Sequence, residues 1–242
     1  MSRLLYIRHG QASYGQANYD QLSPLGYAQA TSLGSYLLRQ EQKFDAIYVG
    51  PLQRHHQTLE MVQEEYAKAG VELPPPVEMA ELVEHRGPQV LKELLPRLRH
   101  RDKQIDIWQS EIEADITLKV KNGLLIFDRA MALWAQGELD DIHPKEYAKW
   151  PAFRTMVEQG LERVICEHSD QKGQHIGMFT SGGTIAATIG RTLQMADHAR
   201  VISLNGIVQN ASMTEILFSN HRITLKSFNR VPHLSDDQLT YV

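Results

Sequence analysis

Three places along the chain hold residue types suited to chemistry on an anion. The first is Arg8-His9-Gly10, directly after the apolar run Leu4-Leu5-Tyr6-Ile7. A guanidinium presents a planar fork of donors to phosphate or carboxylate. An imidazole serves as nucleophile, base or acid near neutral pH. A glycine lets the backbone turn sharply and admits a ligand close to it. The second place is Arg54, in Pro51-Leu52-Gln53-Arg54-His55-His56-Gln57-Thr58. This segment must open a helix, where free backbone donors and the helix dipole attract anions, so Arg54 supplies the second half of a phosphate clamp. The third is Ser181-Gly182-Gly183-Thr184, a turn between a strand and a helix. A serine nucleophile on such an elbow wants glycine two positions to either side. Gly183 meets that requirement and Phe179 does not. Adjacent helical residues point about 100° apart, so at most one of His55 and His56 shares the face of Arg54's ligand. Both are expected as surface or packing histidines.

These residues need elements to hold them. Leu4–Ile7 is too short for a helix and sufficient for a buried strand, and an open α/β sheet binds ligands outside the carboxyl ends of its strands. Ser23 is a helix cap and Pro24 a first helical residue, with Leu25, Ala28, Leu33, Leu37 and Leu38 as the apolar stripe. Phe44-Asp45-Ala46-Ile47-Tyr48-Val49 reads as a second strand, and Pro51 falls in the first turn of the helix bearing Arg54. Pro74-Pro75-Pro76 is a rigid connector.

From about 88 to 165 helical spacing dominates. One stripe joins Val90, Leu91, Leu94, Leu95 and Leu98; a second joins Val120, Leu124, Leu125, Phe127, Met131 and Trp134 up to Gly137. A third runs from Pro144 through Tyr147, Trp150, Phe153, Val157 and Leu161 toward Ile165. Arg97-Leu98-Arg99-His100-Arg101 reads as a solvated helix end. Gln174–Thr180 is the next strand, and Ile185, Ile189 and Leu193 begin a helix. Alternation from Asn210 to Phe218 and from Ile223 to Phe228, about a polar Asn220-His221 turn, spells a β-hairpin.

The 242 residues carry a net charge of −4, which gives no reason to expect nucleic acid or an anionic membrane as partner. Apolar residues at 42% allow a sizeable core, and the single cysteine, Cys166, excludes an intrachain disulfide and a cysteine-based metal site. No apolar run approaches the roughly 20 residues of a membrane span. Arg8 and His9 interrupt any signal-like N-terminus, so a cytoplasmic protein is the expectation.

Together these stretches resemble the histidine phosphatase superfamily, also called the phosphoglycerate mutase-like family. The strand followed by Arg8-His9-Gly10 resembles the turn that carries the family's phosphorylated histidine. Leu22-Ser23-Pro24-Leu25-Gly26-Tyr27-Ala28-Gln29-Ala30 resembles its leucine-threonine-x-x-glycine-x-x-glutamine-alanine helix. The segment at 50–58 matches serine-proline-x-x-arginine-x-x-glutamine-threonine, with Gly50 in place of the serine. Asn210-Ala211-Ser212 and Asn229-Arg230-Val231-Pro232-His233-Leu234 are similar to its closing strands.

The resemblance implies a three-layer α/β sandwich: a mostly parallel central sheet, helices on both faces, and a helical cap. The expected organisation is one domain over 1–242 with a helical insertion at about 88–165. The resemblance makes His9 the nucleophile and gives Arg8, Arg54, Ser181 and Gln11 to phosphate. It implies Glu84 as proton donor, by a leucine-x-glutamate spacing, with Glu81 as the fallback. A carboxyl beside a charged phosphate keeps its proton more readily, as an acid must.

Two departures stand out. His85-Arg86-Gly87-Pro88 replaces a glycine-x-tryptophan-glutamate-glycine run, and Ser181 replaces a second phosphate-binding histidine. A neutral contact in place of a charged one forfeits about 1–2 kcal/mol; His85 or His175 are the candidates to compensate. The expected function is a metal-independent phosphomonoesterase, working through a phosphohistidine on a small phosphorylated substrate and needing no cofactor. The alternatives are a phosphoglycerate mutase-type phosphotransferase and a weakened phosphate-ligand-binding protein. Whether two chains pair as a homodimer is left open by the sequence.

Overall fold

The alternation of buried side chains along the first strand sets the architecture. The computed structural model describes residues 1–13, 16, 18–219 and 222–241. In β1 (Ser2–Arg8), Leu4 and Tyr6 enter one core while Leu5 and Ile7 enter another on the opposite face. A strand apolar on both sides belongs in the middle of a sheet covered on both faces. The remaining strands are β2 (Ala46–Val49), β3 (Pro76–Glu78), β4 (His175–Thr180), β5 (Met213–Ser219) and β6 (Arg222–Arg230). Their order is β3-β2-β4-β1-β5-β6. The first four run parallel, and β5 and β6 add an antiparallel edge. Pro76, expected in the connector, instead opens the edge strand β3, a position where a missing N–H is tolerated. The expected hairpin is β5–β6; its turn at Asn220-His221 lies outside the described residues.

Helices α1 (Pro24–Arg39) and α2 (Gln53–Lys68) cover the face of Leu5 and Ile7, contributing Leu33, Leu37, Leu59, Val62 and Tyr66. Ser23 caps α1 by accepting from the Gly26 N–H at 3.0 Å, with Pro24 first in the helix. Pro51 lies ahead of the α2 cap residue Leu52 rather than inside its first turn. The other face is covered by α6 (Trp150–His168) and α7 (Gly182–Thr192) through Leu161, Val164, Ile185 and Ile189.

The remaining helices are α3 (Gly87–Leu98), α4 (Lys103–Ala114), α5 (Lys119–Gln136) and α8 (His198–Ser203). They share a separate core in which Val90, Leu94, Ile105, Ile126 and Val201 meet Trp134, Trp150 and Phe153.

Three expectations for this stretch need correction. Helix α4 has no counterpart among the three stripes, although Ile105, fully buried, and Trp108 and Ile112, partly buried, pack on the core at helical spacing. Helix α6 begins at Trp150, so Pro144–Lys149 lies outside it. In α5 the helix is present but the buried face is different. Val120, Leu124, Leu125 and Phe127 are exposed, while Asn122, Ile126, Ala130 and Leu133 turn inward beside Met131 and Trp134. A helix apolar on two sides does not declare which side packs. Among the described residues, no helix is long and apolar enough to cross a membrane.

Candidate active site

The carboxyl ends of three parallel strands meet at one edge of the sheet. Arg8 is in register with Thr180, and Val49 with Phe179. His9 therefore stands level with Ser181, and Gly50 beside Thr180, one residue back along β4. The backbone of His9 is fixed from two directions: its N–H donates to Thr180 O (2.9 Å), and its carbonyl accepts from Ala211 N (3.0 Å) and Asn210 Nδ2 (3.3 Å). Gly10 donates to Thr58 Oγ1 (3.0 Å). A Cβ on Gly10 would collide with the Gly26 carbonyl, so the absence of a side chain lets α1 close onto the turn.

The hydrogen bonds of the His9 ring fix its tautomer. Nδ1 lies 2.6 Å from Gly10 O, which can only accept, so Nδ1 carries the proton. Nε2 accepts from Arg54 Nε at 3.1 Å and therefore holds a lone pair. Burial, then the charges of Arg54 and Arg8, hold His9 well below its ordinary pKa and keep the ring neutral.

Arg54 is itself buried. Its Nη1 meets Asp20 Oδ1 at 2.6 Å. The other Asp20 oxygen accepts from Gln53 N at 3.0 Å, giving α2 the cap that Leu52 does not supply. Burial pulls Arg8 down to about 10, against the opposing charge of Glu84, which leaves it cationic at neutral pH. Arg8 Nη1 donates to Val208 O, while its buried Nε meets no partner among the described residues. A buried donor left open costs about 1–3 kcal/mol unless a ligand completes it.

Across the site, Glu84 sits against the N-terminus of α7. Its carboxylate accepts from Gly183 N at 3.2 Å and from His85 N at 2.8 Å. Two threonines hold its loop there: Thr180 Oγ1 donates to Leu82 O (2.7 Å) and Thr184 Oγ1 to Val83 O (2.5 Å). Glu81 points elsewhere, to Arg163 on α6 at 3.1 Å. Ser181 occupies the cap position of α7 yet makes no capping bond. Its hydroxyl lies 2.6 Å from His55 Nε2 instead.

The structure thus gathers Arg8, His9, Arg54, Glu84 and Ser181 about one strand edge. Gln11 stands at the rim. Its Oε1 accepts from Ser23 Oγ at 2.8 Å, and beside it a cavity of about 710 Å³ opens among Ser13, Gln16, Gln21, Ser23 and Tyr27.

The expectation for the neighbouring histidines divides. His56 is a surface residue facing Glu78 at 3.1 Å. His55 is fully buried, with its ring 5.7 Å from that of His9, so it belongs to the site. The turn of about 100° between adjacent residues is what separates the two. His85 is buried among Trp134, Trp150 and Phe153 with ring separations of 5.6, 5.8 and 5.6 Å. Its Nδ1 accepts from Gly87 N (3.0 Å), and its Nε2 lies 3.1 Å from the Asn205 amide and 3.5 Å from Glu84. His175 contacts Arg3 at the opposite end of β4 (2.9 Å) and takes no part. The arginines at 99 and 101 pair at the surface with Asp106, Glu113 and Asp141. Among the described residues, no group of three or more His, Cys, Asp or Glu side chains is arranged to hold a metal ion.

Comparison with known proteins bears on the fold. Residues 4–105 match the model of the histidine phosphatase superfamily (branch 1). No curated protein matches the chain. Among solved structures, a mutant phosphoserine phosphatase from Entamoeba histolytica, in complex with phosphoserine, aligns with a TM-score of 0.62 at 20% identity. That alignment covers 97% of this chain and 100% of the other. A phosphoglycerate mutase from Bacillus anthracis aligns with a TM-score of 0.62 at 17% identity over 96% and 94% of the two chains. A mycobacterial glucosyl-3-phosphoglycerate phosphatase gives 0.61 at 20% over 95% and 99%. At these identities the likeness speaks for the fold. Residues 4–105 are thus similar to the histidine phosphatase superfamily, and the chain as a whole shares the fold of these phosphatases and mutases.

Proposed function

We propose that the protein is a phosphomonoesterase that transfers the phosphoryl group of a small substrate to His9 and then to water. The observation that carries this reading is the state of His9: Nδ1 is tied to Gly10 O, and a neutral Nε2 faces Arg54. An unprotonated ring nitrogen beside two buried guanidiniums is a nucleophile already placed against the charges its target needs.

In the first half-reaction, Nε2 bonds to phosphorus as the bond from phosphorus to the ester oxygen breaks. Arg8 and Arg54 take the charge gathering on the equatorial oxygens, with Arg54 Nε passing from His9 to the phosphoryl group. Glu84, protonated, gives its proton to the departing oxygen and releases an alcohol. In the second half-reaction, the Glu84 carboxylate takes a proton from water as the water oxygen bonds to phosphorus and the P–N bond breaks. Orthophosphate leaves, and both groups return to their starting states. The neutral polar lining of the cavity beside Gln11 suits a small hydroxylated leaving group. With a neutral nucleophile and a protonated acid both required, the rate follows a bell-shaped pH profile.

The test is turnover of p-nitrophenyl phosphate between pH 5 and 7 without added metal, beside a His9→Ala variant. Turnover abolished in the variant supports the reading. A folded His9→Ala protein that turns over at the wild-type rate refutes it.

A further inference from the structure

We propose that His55 and Ser181 act as one composite donor to the phosphoryl group, with Ser181 touching the oxygen and His55 supporting it from behind. This rests on the phosphatase reading of the site.

The pair is built, not incidental. Both residues are fully buried and their polar atoms are 2.6 Å apart, although 126 residues separate them in sequence. Ser181 has abandoned the usual task of a serine at a helix cap, so its hydroxyl is committed to His55. The His55 ring stands 5.7 Å from that of His9. Room for the ring is made at the end of β2, where a Cβ on Gly50 would collide with His55 Nδ1 and with the Leu82 carbonyl. Thus Gly50, His55 and Ser181, on three separate elements, fit only as a set.

The chemistry of the pair is directional. A serine hydroxyl has a single proton, so it can donate to a phosphoryl oxygen only while its own oxygen accepts from another group. With a proton on His55 Nε2, the ring donates to Ser181 Oγ and the hydroxyl proton turns to the phosphoryl oxygen. Linked donors polarise one another, so the hydroxyl binds the anion more strongly than an isolated serine. His55 is a positioning residue here; Ser181 makes the contact.

Orthovanadate, a phosphate mimic whose binding requires no turnover, is the probe. His55→Ala and Ser181→Ala are each expected to weaken orthovanadate binding about tenfold. The double variant should bind no more weakly than either single one, because one donor has been removed in all three. His55→Gln, which keeps a donating amide, should stay within about threefold of wild type. In the wild-type protein saturated with orthovanadate, ring ¹⁵N shifts should report a protonated Nε2 on His55, a readout independent of any substitution. Additive losses in the double variant, or a bare Nε2 in the bound state, overturn the composite donor. Orthovanadate binding by wild type with uncoupled variants removes this proposal alone. No binding by wild type removes the phosphatase reading as well. Labelling of Ser181 by a fluorophosphonate would also overturn it, by showing a nucleophile in place of a donor.

Discussion

Arg54 Nε donates to His9 Nε2 across 3.1 Å, so in the proposed mechanism the atom that attacks phosphorus is held by the group that binds the phosphoryl oxygens. An incoming phosphoryl group relieves both at once. It takes the guanidinium as its partner and exposes the ring lone pair at the moment the lone pair is needed. The arrangement also keeps His9 from acting as a stray base, since a second proton on the ring would face two buried cations.

That electrostatic setting places the acid limb of the activity profile. His9 is held well below its ordinary value, by burial first and by Arg54 and Arg8 next. Initial kcat/KM for p-nitrophenyl phosphate should therefore hold down through pH 6 and decline only well below 6.5. A decline centred near 6.5 would mean that His9 titrates as an ordinary imidazole.

Stability follows the opposite demand. The folded-state pKa values of His9, His55 and His85 are depressed, and that of His233 is lowered to about 4, in each case chiefly by burial. The unfolded chain therefore binds more protons once the pH falls below the ordinary histidine value of about 6.5. The stability these groups contribute is complete above that value and is lost progressively below it. His233 alone accounts for about 2 kcal/mol by pH 5. Denaturant melts at pH 7.5 and 5 should show this loss, and unchanged midpoints would contradict it.

Glu84 and Glu81 should separate cleanly. Glu84 lies at the α7 N-terminus within reach of the site, whereas Glu81 pairs with Arg163. Glu84→Gln should lower kcat about 100-fold or more for glycerol phosphate, whose leaving alkoxide needs a proton. For p-nitrophenyl phosphate, whose leaving group does not, the loss of the acid should cost much less in the first half-reaction. Glu81→Gln should change neither rate by more than about twofold. Equal effects of the two substitutions would remove Glu84 from the role of acid.

Asp20 joins the loop after β1 to both Arg54 and the start of α2. Asp20→Ala removes a helix cap and the tether of a buried guanidinium together. The expected cost is about 1–2 kcal/mol in stability, with KM rising more than kcat falls. A variant with unaltered melting and unaltered KM would show that the contact does neither job.

Much of this was legible in the order of residues. The run Leu4–Ile7 with its charged turn, the Ser23-Pro24 cap and the elbow at Ser181 are local signals, and each names an element without help from the rest of the chain. What escaped depends on distant partners. Nothing near His55 in sequence says that the imidazole is buried, because Ser181 and the ring of His9 reach it from the turns after other strands. Val208, Asn205 and Asn210 enter the site from the C-terminal third through backbone and amide contacts that carry no sequence pattern. The buried side of α5 was set by what packs on it, since its apolar residues point both ways.

The most direct measurement looks for phosphorus on His9. The wild-type protein and the Glu84→Gln variant, which should slow release of the intermediate, are mixed with p-nitrophenyl phosphate and quenched in base within milliseconds to seconds. The peptide spanning His9 is then weighed by mass spectrometry. Phosphohistidine catalysis requires an added phosphoryl group on His9, stable in base, lost in acid and enriched in Glu84→Gln. Steady turnover with His9 never modified, together with a His9→Ala protein that still turns over, would contradict it.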